Sequence, residues 1–370
     1  MSSIDDGFVP AARPVIGEEE IAAAVRVLRS GAVVQGPEVA AFEAEFADVV
    51  AGRHCVAVNS GTSALQLTFL ALGIGRGDEV IVPSFSFAAS ANAVRLVGAE
   101  PIFADIDPDT FCLDPDAAEA VITSRTAAIM PVHLYGHPAA MDRLVPLAEK
   151  HGLAIVEDAA QAHGASLNGR AVGTFGAAGC FSFYPTKNMH SLEGGMVTTA
   201  DPALARMLRL LRNQGMEQRY ANEVVGANMR LTDVAAAIGR VQLGKLAGWN
   251  AQRRANARTL SSRLTNVLPL PEAPGAVPVY HQYTVRVPHG RDALQQHLTD
   301  SGVGSAVYYP TPIHRLKPYW DEDRAAAYTR DLRETDRAGA EVLSLPVHPT
   351  LSPGELDRVI AAVSRWKEGQ

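Results

Sequence analysis

The sequence predicts an α/β protein: a mostly parallel, seven-stranded sheet sandwiched by helices, followed by a smaller C-terminal α/β domain. Three observations lead there. Seven short apolar or β-branched runs fall between residues 55 and 199. Helical stretches separate several of them. Beyond Thr199 the hydrophobic period changes, and a long helical stretch precedes a second, shorter α/β pattern. Strands that are apolar almost throughout and alternate with helices belong to sheets buried on both faces.

Taken in order, Glu18–Ser30 has helical spacing and stops at Gly31, and Glu38–Val50 does the same before Gly52. The seven runs are Cys55–Val58, Val80–Val82, Pro101–Ala104, Ala128–Val132, Ala154–Glu157, Cys180–Phe183 and Met196–Thr199. Helices fall at Ser63–Leu72, Ala88–Val97 and Met141–His151. Only loop-like connections join the last three runs, which leaves room for an antiparallel strand there. Ala203–Arg212 is amphipathic, and Asp233–Val267 is a long, arginine-rich helical stretch. After a proline-rich break at Pro269–Pro278, the segments Tyr280–Val287, Asp292–Ser301 and Val303–Tyr309 read as strand, helix, strand, and Pro353–Trp366 closes the chain as a helix. The long helix joins two domains, residues 1–245 and 246–370.

With 47% hydrophobic and 20% charged residues, the composition is that of an ordinary globular protein. A net charge of −7 gives no electrostatic reason to bind nucleic acid or an anionic membrane. Cys55, Cys112 and Cys180 are widely spaced, so no disulfide framework or cysteine-rich zinc site is expected. Met1-Ser2-Ser3-Ile4-Asp5-Asp6 is acidic without an apolar core, so it does not read as a signal peptide. No apolar run reaches the roughly 18 residues that span a bilayer. A cytoplasmic location follows. Only five of the 33 basic residues are lysine: Lys150, Lys187, Lys245, Lys317 and Lys367. Each therefore raises the question of what an amine does there that a guanidinium cannot.

Ligands of open α/β sheets bind at the carboxyl ends of the strands. After the first run comes Asn59-Ser60-Gly61-Thr62-Ser63, opening a helix. Its free amides suit a phosphate, though an ordinary N-cap has the same look. After the fifth comes Glu157-Asp158-Ala159-Ala160-Gln161-Ala162-His163-Gly164. The two carboxylates suit an acid/base pair, a helix cap or a buried cation's partner; no histidine spacing supports a metal. Adjacent strand residues face opposite sides, so one carboxylate alone should reach the crevice. His163 by itself reads as a packed histidine. After the sixth run, Ser182-Phe183-Tyr184-Pro185-Thr186-Lys187 puts a lysine behind apolar and aromatic residues. A buried amine is a Schiff-base nucleophile; an exposed one merely snorkels. Phosphate-binding amides, an acid to hold a ring nitrogen protonated and a buried lysine are together the parts of a pyridoxal phosphate site.

Motifs along nearly the whole chain add to this. They include Gly36-Pro37, Phe42-Glu43, Asn59-Ser60-Gly61-Thr62-Ser63-Ala64-Leu65, Gly77-Asp78-Glu79-Val80-Ile81-Val82-Pro83-Ser84-Phe85 and Asp105-Ile106-Asp107. Further on come Val132-His133-Leu134-Tyr135-Gly136, Glu157-Asp158-Ala159-Ala160-Gln161, Glu193-Gly194-Gly195-Met196, Asn228-Met229-Arg230 and Leu345-Pro346. In this order they resemble the DegT/StrS family of nucleotide-sugar aminotransferases, fold-type I pyridoxal phosphate enzymes. The resemblance implies that Lys187 forms the Schiff base with the cofactor and shuttles the proton, and that Asp158 pairs with the pyridinium nitrogen. It implies that Gln161 contacts the phenolate oxygen and Phe87 stacks on the ring. The amides of Gly61, Thr62 and Ser63 and the Ser182 hydroxyl would hold the phosphate. Asn228 would come from the neighbouring subunit of a homodimer. His133, His163, Tyr309 and His314 are placed near the substrate. His190-Ser191-Leu192 and Ala227 depart from the family pattern near the substrate, so they bear on sugar specificity.

The implied reaction is transamination from an amino acid, L-glutamate, through pyridoxamine phosphate to a nucleotide-linked keto-sugar. The alternatives are a keto-cyclitol as acceptor, or a non-catalytic regulatory relative. Retained Lys187 and Asp158 argue against the last.

Overall fold

The computed structural model describes residues 7–320 and 332–367. The acidic start at Met1–Asp6 lies outside the described residues. The large sheet consists of β1 (His54–Val58), β2 (Glu79–Pro83), β3 (Glu100–Ala104), β4 (Thr126–Ile129), β5 (Ala154–Asp158), β6 (Ala178–Ser182) and β7 (Gly195–Thr199). These are the seven expected runs, in the order β1-β7-β6-β5-β4-β2-β3. The pairs β2/β3, β2/β4, β4/β5 and β5/β6 are parallel. Strand β7 runs antiparallel to both of its neighbours, β1 and β6. The reversal follows from the connection: 12 residues of loop, with no crossover helix, join β6 to β7.

Helices cover both faces. On one side α3 (Gly61–Ala71), α4 (Ala89–Leu96) and α7 (Pro202–Arg212) close over Val56, Val80, Val156 and Val197. On the other, α2 (Pro37–Ala47) brings Phe42 and Phe46 against Phe181 and Phe183. Their rings meet at 5.0–5.6 Å, in tilted and edge-on arrangements. Helix α2 begins at Pro37, and its free amides are taken by a distant carboxylate. Asp233, the first residue of α8 (Asp233–Arg263), accepts from the N–H groups of Gly36, Glu38 and Val39.

A smaller three-stranded antiparallel sheet, β8 (Leu268–Pro269), β9 (Tyr283–Arg286) and β10 (Val342–Leu345), packs with α9 (Arg291–Asp300) and α11 (Pro353–Arg365). Two expectations differ here. Val303–Tyr309 is not a strand. Gly304 N donates to Val9 O and Ala306 N to Ser344 O, so its bonds go to two neighbours in succession and build no ladder. Val9, expected in the large domain, is fully buried in the C-terminal core. Among the described residues no helix is long and apolar enough to cross a membrane.

Candidate active site

The β5–β6–α3 edge of the large sheet gathers most of the predicted residues. Ser60 caps α3: its Oγ accepts from Ser63 N at 3.1 Å. The Ser63 amide is therefore already engaged, and those of Gly61 and Thr62 remain open at the first turn. Glycine is required at position 61, because a Cβ there would stand 2.7 Å from Ser182 Cβ. That close approach sets the Ser182 hydroxyl beside the helix start.

At the end of β5 the two carboxylates separate as alternation demands. Glu157 faces the core, accepting from the N–H groups of Gly173, Phe175 and Gly176. His133 Nε2 lies 3.1 Å from Glu157 Oε2, and its Nδ1 accepts from Ala139 N at 3.0 Å. Asp158 faces the crevice side. Its Oδ2 accepts from Ser90 Oγ at 2.8 Å and its Oδ1 from Ala160 N at 3.2 Å. Burial pushes this carboxyl above the usual carboxylate range, while Ser90, Ala160 and Lys187 pull it back.

Lys187 sits in the β6–β7 loop, held by its N–H to Tyr184 O at 2.9 Å. Burial lowers its ammonium to about 8, with Asp158 opposing. No hydrogen bond or ion pair engages its Nζ among the described residues. By contrast Lys150 pairs with Glu119, and Lys245 with Glu19 and Glu20.

The four side chains expected near substrate divide. His133 and His163 are fully buried. His133 spends both ring nitrogens on Glu157 and Ala139, so it offers none to a substrate. His163 packs against Phe181 and Phe183 at 5.4 and 5.7 Å, and burial lowers its imidazole to about 3. Tyr309 lies 6.0 Å from the exposed Phe87 ring, and its hydroxyl accepts from Gln161 Nε2 at 3.0 Å. Gln161 Oε1 accepts from Tyr135 N at 2.7 Å, so this amide is committed at both ends. His314 is bound to Ser84 at the end of β2, Nδ1 to Oγ at 2.6 Å. Asn228 is exposed, next to Met229, whose carbonyl accepts from Asn59 N.

A model of the DegT/DnrJ/EryC1/StrS aminotransferase family matches residues 14–364. The chain belongs to this family. The aminotransferase is 48% identical over 342 residues to the erythromycin biosynthesis sensory transduction protein EryC1 of Saccharopolyspora erythraea, covering 91% of this chain and 92% of that one. It is 46% identical over 355 residues to the dTDP-3-amino-3,4,6-trideoxy-α-D-glucose transaminase of Streptomyces venezuelae, covering 95% and 92%. Among solved structures, S. venezuelae DesV in complex with a ketimine intermediate superposes with a TM-score of 0.89 at 46% identity, covering 94% of each chain.

Two residues of the aminotransferase's site escape sequence reading. Ser90 orients Asp158, and Ser86 Oγ lies 3.0 Å from Ser90 Oγ. Ser86 lies in the bend that precedes α4 and Ser90 in its first turn, a placement that no local sequence pattern marks.

Proposed function

We propose that this aminotransferase uses pyridoxal phosphate to move an amino group from L-glutamate to the keto group of a nucleoside diphosphate-linked sugar, as a cytoplasmic homodimer. The carrying observation is Lys187: an amine lowered to about 8, without an ion-pair partner, on the loop that follows Ser182 and opposite Asp158. The cofactor fits the residues present. The open amides at Gly61 and Thr62 and the glycine-dependent approach of Ser182 form a cradle for a phosphate, and Asp158 is a buried acid in need of a cationic partner. When bound, pyridoxal phosphate supplies a carbonyl that exchanges amines and a ring that accepts electrons from a deprotonating carbon.

The chain's own residues supply the rest. Gly61, Thr62, Ser63 and Ser182 anchor the phosphate, with Ser63 contributing its hydroxyl because its amide is engaged. Asp158, oriented by Ser90, keeps the ring nitrogen protonated. Phe87 covers the ring, and Gln161 stands at its phenolate edge while fixing Tyr309. Lys187 Nζ, deprotonated within reach of neutral pH, takes and returns the proton. Asn228, exposed on its own protomer, completes the partner's site. The dTDP-linked product in the transaminase relative's name supports a nucleotide-linked acceptor.

The EryC1 relative's name, a sensory transduction protein, favours a regulatory reading. A non-catalytic chain has no need of an unpaired, buried lysine beside a buried acid. Absorbance of the purified protein separates the two. A Schiff-base band should disappear on adding L-glutamate, be absent in Lys187→Ala, and return with a nucleotide-linked keto-sugar. A band that no amino donor changes would overturn the aminotransferase reading.

A further inference from the structure

Gln161, proposed for the phenolate edge of the cofactor, has its amide held from both ends by a short circuit of hydrogen bonds. Its Oε1 accepts from Tyr135 N at 2.7 Å. Its Nε2 donates to the Tyr309 hydroxyl at 3.0 Å. The circuit closes through the Tyr135 side chain, whose hydroxyl donates to Tyr308 O, the carbonyl next to Tyr309. One residue thus grips the amide with its backbone and the carrier of Tyr309 with its phenol.

Tyr135 does this from a strained backbone. It lies between Leu134 and Gly136 at φ 58°, ψ 7°, the left-handed region that costs any residue with a Cβ and suits glycine. A bulky aromatic stays there only where its surroundings over-determine it. Here Gln282 N donates to Tyr135 O at 3.3 Å and Val279 N to Gly136 O at 3.0 Å, so the turn is pinned by the C-terminal part of the chain. The ring is buried in the core, a role phenylalanine would fill equally well. The hydroxyl is the part that packing does not explain. Burial raises the phenol well above its ordinary range, so it stays a donor at any working pH.

The circuit also fixes a polarity. A backbone N–H can only donate, so Oε1 of Gln161 must face Tyr135 and Nε2 must face Tyr309. The second N–H of Nε2 has no acceptor among the described residues, and neither has the O–H of Tyr309. The Tyr309 ring stands 6.0 Å from Phe87, on the side where the cofactor ring is proposed. A reversed amide would turn its oxygen on an anionic phenolate and be repelled.

We propose that Tyr135 is a positioning residue for the transamination: with its N–H and its hydroxyl it locks the Gln161 amide nitrogen toward the cofactor, and so makes Gln161 a hydrogen-bond donor to the phenolate oxygen. This rests on the aminotransferase reading for the presence of the cofactor.

The test follows the Schiff-base absorbance of holoenzyme against pH. A donor on the phenolate draws off negative charge that would otherwise hold the imine proton, so losing the donor raises the midpoint. Tyr135→Phe keeps the ring and the backbone N–H but releases Tyr308, and its midpoint should rise by at least about half a pH unit, roughly a threefold change in proton affinity. Gln161→Leu should raise it further. Adding Tyr135→Phe to Gln161→Leu should then shift it no more, because Tyr135 acts through Gln161. A merely structural role would lower the urea midpoint and leave the pH midpoint where it was. An unmoved pH midpoint in Tyr135→Phe, or a full second shift in the double variant, overturns the proposal. Should Tyr135→Phe not fold, Tyr309→Phe opens the circuit at its next bond, and an unmoved midpoint there overturns it as well. A purified protein with no Schiff-base band would sink the aminotransferase reading instead. Crystals of cofactor-free Tyr135→Phe then decide the positioning: the Tyr309 hydroxyl should leave Gln161 Nε2, and an intact bond refutes the role.

Discussion

Lys187 shows how far one side chain can be read from sequence. Its scarcity as a residue type and its place behind Phe183 and Tyr184 already separate it from the other four lysines, two of which prove to be in ion pairs. The protonation consequence can be worked out. Its folded value of about 8 lies below the ordinary 10.5, so between those limits the folded chain holds less proton than the unfolded one. Stability from this group therefore rises with pH across that window, and its full penalty applies below it. Cofactor-free Lys187→Met should accordingly be more stable than wild type at pH 7, with the gap closing as pH rises through the window. Urea unfolding at pH 7 and pH 10 checks this; a constant gap would refute it. Asp158→Asn should still bind cofactor but lose at least about a hundredfold in kcat, because a neutral amide cannot hold a cationic ring nitrogen. Near-normal turnover would remove Asp158 from its proposed role. His133 was not legible in this way, and His163 was legible only as a packed histidine. Both follow motifs near the site, but only the folded chain shows Glu157 capturing one ring and Phe181 and Phe183 enclosing the other.

At the scale of elements, the strand runs were legible because each is apolar on both faces. Room for an antiparallel strand among the last three runs was legible in their loop-like connections, but which strand reverses was not, since β5 and β6 are also joined without a helix and run parallel. The C-terminal half was harder. Val303–Tyr309 has strand composition, yet its hydrogen bonds are divided between Val9 and Ser344, a partition no local pattern encodes. The start of α3 is where element and function meet. Ser60→Ala removes the cap on Ser63 N and should cost about 1 kcal/mol of stability, read from the urea midpoint. Gly61→Ala should leave the helix intact, since alanine favours helix. Its Cβ would collide with Ser182 Cβ, so helix start and β6 must part. Cofactor affinity should fall at least about tenfold, some 1.4 kcal/mol, in a spectroscopic titration. An unchanged affinity would show that the phosphate does not depend on this approach.

At the scale of the whole molecule, the N-terminal segment ties the two cores together. Val9 N donates to Gly302 O, Arg13 pairs with Glu355, and Val15 O accepts from Gln242 on α8. None of this was legible, because a few residues without periodicity meet partners near the other end of the chain. The same protomer leaves apolar side chains uncovered: Phe87 is 59% exposed, Tyr220 80% and Val225 96%. Asn228 lies exposed near Val225 in sequence. Uncovered apolar surface of this kind is what the proposed isologous dimer would bury. Two dead variants then test the sharing. Lys187→Ala and Asn228→Ala homodimers should each be inactive or nearly so. Mixed and allowed to exchange, they form heterodimers in which one site combines an intact Lys187 from one protomer with an intact Asn228 from the other. Random pairing makes half the dimers mixed, each with one good site of two, so activity should recover to about a quarter of wild type. If Asn228 serves its own protomer, every site in the mixture lacks one residue, and no activity returns at any mixing ratio.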